Sequence, residues 1–216
     1  MSGGSSDYIG LFGNADGAQI RNLGVETASG KNISGYMNVG VIAGDLNNNS
    51  SISNSYSAVN VNGSSTNIDG IAGYLNNNSS ISNSCTVGDV NGGSGSGSDN
   101  VGGIAGVVKN GAKIINNAAI NTLIAGPMDT NHIIGNTETA DNTAENNFAL
   151  SDMTINGAVY SGTANLKNGI SKTEAELKEQ STYASPVNED GNGGLGWDFT
   201  NIWKIDDGCP YLYWQK

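Results

Sequence analysis

The chain has 216 residues, of which 37% are hydrophobic and only 13% charged, with a formal net charge of −11. Nine Lys and Arg stand against twenty Asp and Glu, and no Lys or Arg falls between Lys31 and Lys109. That excludes a nucleic-acid partner, which needs basic residues to displace counterions from phosphates, and it disfavours an anionic membrane surface.

No apolar run approaches the ~20 residues of a membrane span. Low hydrophobicity with sparse charge differs from the disordered signature, in which charge density is high. Glycine numbers 32, proline only 3, and asparagine is as abundant as glycine. This composition suits many short strands joined by tight turns. Two cysteines, Cys85 and Cys209, do not make a disulfide framework.

In chain order, residues 1–6 (MSGGSS) read as a disordered lead-in with no visible signal peptide. From residue 7 to 150 the chain repeats itself. "GVIAGDLNNNSSISNSYSAVNVNG" and "GIAGYLNNNSSISNSCTVGDVNG" are nearly one sentence. Five copies align through a glycine motif: Gly10–Gly13, Gly40–Gly44, Gly70–Gly73, Gly102–Gly106 and a degenerate Ile133–Gly135. Each then reaches an asparagine: Asn22, Asn54, Asn83, Asn116 and Asn146, spaced 32, 29, 33 and 30 residues apart. A period near 30 with strand-like content means stacked coils.

Around that asparagine, even offsets are mostly apolar. Ile20, Ile52, Ile81, Ile114 and Ala144 stand two before it. Gly24, Tyr56, Cys85, Ala118 and Phe148 stand two after, and Glu26, Ala58, Val87, Ile120 and Leu150 four after. Odd offsets are more often polar, as at Ser55, Ser84, Asn117 and Asn147. Period-2 alternation puts the even set inward. It therefore predicts that the five asparagines form a buried amide ladder, each side chain bonding the next at ~4.8 Å. At offset seven, Val61, Val90, Leu123 and Met153 are inward, with a corner just before them. "NGGSGSGSDN" (Asn91–Asn100) reads as a loop between coils.

The expected fold is all-β: a parallel, right-handed β-helix of about five coils over 7–150, with a small α+β cap over 151–216. A β-sandwich is the structural alternative, but it gives no reason for residues 30 apart to match.

The glycine motifs, each followed by an "IxN" segment, resemble the GLUG repeat. "STY…GWDFTNIWKIDDGCPYLYW" (Ser181–Trp214) is similar to the ending that follows such repeats in surface proteins of Bacteroides-type gut bacteria. The resemblance implies a secreted or cell-surface, adhesin-like protein. The repeat is also similar to non-catalytic segments of immunoglobulin A-cleaving metallopeptidases.

The tail leaves the period. "SKTEAELKEQ" reads as a short helix with a capping box at Ser171 and Glu174. Trp197, Trp203 and Trp214 follow, with Tyr211 and Tyr213. A solenoid needs its open end covered, so these aromatics predict a cap. The sharper reading makes Trp197, Trp203, Trp214 and Tyr211 a sugar-stacking platform.

No catalytic constellation is visible. The lone histidine, His132, is expected at the surface. Cys85 is expected as a buried free thiol, since a bridge to Cys209 would need the cap to fold back over the middle coil. Asp89 and Asp152 fall two coils apart with Thr122 between, unlike the paired carboxylates of glycosidases. Calcium held by loop Asp and Asn oxygens is the one cofactor left open. The expected function is a non-catalytic module that recognises a host glycan or extracellular protein, as a monomer at a bacterial surface. The rival reading is an accessory domain of a secreted peptidase, or more remotely of a polysaccharide-processing enzyme.

Overall fold

In the computed structural model, residues 7–28, 30–93, 100–159, 167–188, 193–206 and 209–215 are described. Residues 1–6 and most of the Asn91–Asn100 tract lie outside them. The repeat folds as a parallel β-solenoid of five coils, each making five short strands that fall into five walls. The first wall is Asp7–Ile9, Met37–Gly40, Ile68–Asp69, Val101–Gly102 and Thr130–Asn131. The second runs from Phe12–Asp16 to Ile134–Thr137, and the third from Gln19–Arg21 to Thr143–Glu145. The fourth wall is Gly24–Glu26, Tyr56–Ala58, Cys85–Thr86, Ala118–Ala119, Phe148–Leu150 and, beyond the last coil, Ile170–Lys172. The fifth runs from Asn32–Gly35 to Thr154–Ile155 and ends in Ala158–Val159, paired antiparallel.

The register bears out the sequence columns on the third and fourth walls. Ile20, Ile52, Ile81, Ile114 and Ala144 lie one over another. So do Gly24, Tyr56, Cys85, Ala118 and Phe148. On the fifth wall the register slips, by one residue at the fourth coil and by two at the fifth. Val61 and Val90 stack on Ile124 and Ile155, in place of Leu123 and Met153. The coil gains a residue at Asn121, whose Oδ1 accepts the Thr86 hydroxyl at 2.9 Å.

The ladder asparagines are corrected. Asn22, Asn54, Asn83, Asn116 and Asn146 have φ of 55°, 49°, 50°, 59° and 51°. They are exposed or half-buried corner residues, and among the described residues none of their amides bonds the next. Among the described residues, thirteen of the fifteen non-glycine residues with positive φ are asparagine. Left-handed conformation costs other L-residues about 1–2 kcal/mol and asparagine less. Asparagine repeats here because the chain turns there.

A left-handed corner also interrupts the alternation, so inward parity restarts one residue later. The buried column is Ser55, Ser84, Asn117 and Asn147, the set expected outside. Each side chain accepts a backbone N–H from the coil before: Leu23 N to Ser55 Oγ (3.2 Å), Ser55 N to Ser84 Oγ (3.1 Å), Ser84 N to Asn117 Oδ1 (3.0 Å) and Asn117 N to Asn147 Oδ1 (3.0 Å). Amide-to-amide stacking does occur, in this column from Asn117 Nδ2 to Asn147 Oδ1 at 3.1 Å, and also at another corner. Asn67 Nδ2 donates to Asn38 Oδ1 at 2.6 Å, and Asn100 Nδ2 to Asn67 Oδ1 at 2.8 Å.

His132 is corrected as well. Its column is Val41, Gly70 and Gly103, all buried, and His132 is only 2% exposed. Burial holds its imidazole below the usual histidine pKa.

Candidate functional site

Restarted parity means that the fourth wall is apolar on its outer face. Thr86 and Ala119 face Gly70 and Gly103 across the coil interior. Tyr56, Cys85, Ala118 and Phe148 therefore point outward, and so do Glu26, Ala58, Val87, Ile120 and Leu150. Five coils of exposed apolar surface would invite aggregation. The C-terminal segment covers it.

That segment begins where Ile170–Lys172 extends the fourth wall past Phe148–Leu150. Helix α1 (Glu174–Leu177) follows, capped by Thr173 with Glu176 in a reciprocal capping box. The box thus lies two residues beyond the expected Ser171 and Glu174. Helix α2 (Gln180–Ala184) comes next. The chain then runs back down the flank, against the direction in which the coils advance. Trp197 Nε1 donates to Asn116 O on the fourth coil at 2.9 Å. The Cys85 thiol on the third lies 3.8 Å from Pro210 O. Gln215 reaches Gly24 and Tyr56 on the first two. The expected end cap is a lateral cover.

The cover is held by aromatic packing. Trp197 and Trp203 stack with ring centroids 4.5 Å apart, and Tyr183 sits 5.0 Å from Trp197. Tyr183 donates its hydroxyl to Leu177 O at 2.8 Å. Trp203 is fully buried and Trp197 is 3% exposed, so neither offers a face to a sugar. This corrects half of the stacking platform. Trp214 is 45% exposed, and Tyr211 is half-buried at a cavity edge. Both thiols are free, with Cys85 buried and Cys209 half-buried. Burial raises both, Cys209 to about 11.

Solenoid and cover do not meet everywhere. Between them lie two cavities, of about 430 and 290 Å³, that share Val87 and Cys209. Their floor is the outward column Ala58, Val87, Ile120 and Leu150, one residue per coil. The larger is bounded by Thr122, Asp152, Glu174, Leu177 and Lys178, and the smaller by Glu26, Tyr56, Asp206, Pro210 and Tyr211.

Most polar groups on the rim are held in place. Tyr56 donates its hydroxyl to Glu26. Tyr211 donates to Asp206 at 3.0 Å, and Lys178 to Glu174 at 2.6 Å. The Lys178 ammonium keeps the Glu174 carboxyl below its ordinary pKa. Asp152 accepts from Ser151 Oγ at 3.1 Å, and among the described residues no cation pairs with it.

Among the described residues, no three His, Cys, Asp or Glu side chains stand close enough to share a metal. Asp89 and Asp152 do not converge; the Thr122 hydroxyl donates to Asp89 at 2.7 Å. Among the described residues, no helix is long and apolar enough to cross a membrane. The covered flank was missed in the sequence because a residue that is apolar beneath a cover reads like a core residue.

The fold has a known counterpart. The chain is similar to a solved structure described as a putative immunoglobulin A1 protease from Bacteroides ovatus, with a TM-score of 0.56 and 19% identity, over 94% of this chain and 77% of the other. At that identity the likeness is one of fold. No protein-family model matches the chain, and no curated protein matches it.

Proposed function

We propose that this chain is a non-catalytic recognition module, displayed outside a bacterial cell, whose ligand lies in the groove between the fourth wall and its cover. The observation that carries this reading is the groove itself: an apolar floor repeated coil by coil, with fixed carboxylates along the rim. Binding sites of this kind are concave, apolar-floored and edged by a few placed polar groups. The lone histidine is buried in the solenoid, and the carboxylates are spread along the groove, an arrangement that suits binding better than proton transfer. A bacterial-surface location and adhesion belong to the same proposal; the GLUG-like motifs support them.

A second reading has its own support. The fold is shared with a protein described as a putative immunoglobulin A1 protease, so the chain would serve as an accessory domain of a secreted peptidase.

The test is a binding screen at physiological salt against mucin-type and plant glycans, matrix proteins and immunoglobulin A. Ala58→Arg fills the groove floor at an exposed position. Saturable binding that this variant abolishes supports the groove. Binding that survives it places recognition elsewhere. A parent polypeptide with a separate peptidase domain, together with no binding by this one, favours the accessory role.

A further inference from the structure

The groove has a sign and a texture, and both bear on its ligand. Among the described residues, its rim carries Glu26, Asp152, Glu174 and Asp206 against the one cation Lys178, which is already paired to Glu174. The molecule around it bears −11. Sialylated or sulfated glycans would enter a repulsive field. Among the described residues the larger cavity has no aromatic side chain in its lining; the smaller has Tyr56 and Tyr211 at its edge, and Trp197 and Trp203 are buried in the cover. The floor of the larger cavity, Val87, Ile120 and Leu150, is branched aliphatic.

The dimensions fit a short piece of extended chain. From Ala58 to Leu150 the floor crosses four coils, three steps of ~4.8 Å, or about 14 Å, room for about four residues of a strand rising ~3.3 Å each.

Resting on the recognition reading above, we propose that the groove takes an extended polypeptide segment that alternates aliphatic and basic side chains. The aliphatic side chains bury on Val87, Ile120 and Leu150. The basic ones reach Asp152 on one rim and Glu174 or Asp206 on the other. Asp152 is the strongest anchor, because among the described residues no cation pairs with it.

The experiment titrates the folded chain with fluorescein-labelled octapeptides by anisotropy. One alternates lysine and valine, one alternates glutamate and valine, and a neutral gluco-oligosaccharide competes. The Lys/Val peptide binds saturably, the Glu/Val peptide does not, and affinity falls as salt rises. Asp152→Lys weakens binding about fivefold or more, whereas Asp7→Lys, the same charge change on an exposed strand at the far end, weakens it less than about twofold. Equal losses from both variants overturn the proposal, since attraction to the general field explains them. Oligosaccharide binding blocked by Ala58→Arg, with no peptide binding, overturns the ligand class and leaves the recognition groove standing. No binding of any probe by a natively folded chain overturns both.

Discussion

At the scale of single residues, the most informative group is Asp69. It is fully buried in a column otherwise held by Gly40, Gly102 and Asn131. Its Oδ1 accepts Gly102 N–H at 2.7 Å, while Oδ2 has no hydrogen-bond donor. Burial raises its pKa well above the ordinary carboxyl value. Two coils on, Asn131 donates Nδ2 to Gly135 O, four residues ahead, at 2.9 Å. Gly73 O, four residues ahead of Asp69, flanks the same point beside Gly106 as Asp69 Oδ2, so a neutral donor belongs there. A raised folded pKa means the folded state binds the proton more tightly. Asp69 therefore weakens the fold as pH rises from its unfolded value near 4 toward its folded value. Asp69→Asn should raise the melting temperature at pH 7–8, by about 2–4 °C for each kcal/mol recovered, and the gain should vanish toward pH 4. Thermal melts of both proteins across pH check this. His132 has the opposite linkage. Its depressed folded pKa means stability present above about pH 6.5 and lost as pH falls through the folded value. Being the lone histidine, it gives one Cε1–H resonance, which should titrate with a midpoint below about 6.5.

At the scale of elements, the corner and the ladder can be separated by mutation. Asn83→Gly keeps a left-handed corner and should be near neutral, whereas Asn83→Val should cost about 1–2 kcal/mol. Asn117→Ala removes an acceptor for Ser84 N and donors to Asn147 Oδ1 and Ile81 O. It should cost about 1–3 kcal/mol, and Asn117→Ser less, because serine serves the same column at Ser55 and Ser84. Denaturant unfolding of the four variants measures both effects. The cover divides the tryptophans in the same way. Trp203→Ala should cost about 3–5 kcal/mol, and Trp214→Ala, at a 45% exposed position, should leave the midpoint unchanged.

At the scale of the whole molecule, solenoid and cover are one hydrophobic unit, with Cys85, Phe148, Trp197 and Trp203 in a single cluster. Cys85 reports on that union, since its thiol is closed off by Pro210. A thiol reagent should modify half-buried Cys209 first and Cys85 only when the cover opens. Truncation after Lys172 should make Cys85 react at once and should expose the outer fourth wall to hydrophobic dyes. Equal protection of Cys85 with and without the cover would contradict the flank arrangement.

The repeat period, the number of coils, and the register of the isoleucine column and the Tyr56–Cys85–Phe148 column follow from the sequence alone. Like residues must stack when each coil templates the next, and that periodicity survives in one dimension. Which face each column presents was decided by tertiary structure. A left-handed asparagine at the corner resets the two-residue alternation, and no local pattern announces it. The path of the tail was likewise decided in three dimensions. Trp197 and Trp203 are as apolar in a cap over the coil end as in a cover along the flank. Only the outer face of the fourth wall, assembled from residues about 30 apart, offers them the surface they bury, and the groove beside it exists because that fit is incomplete.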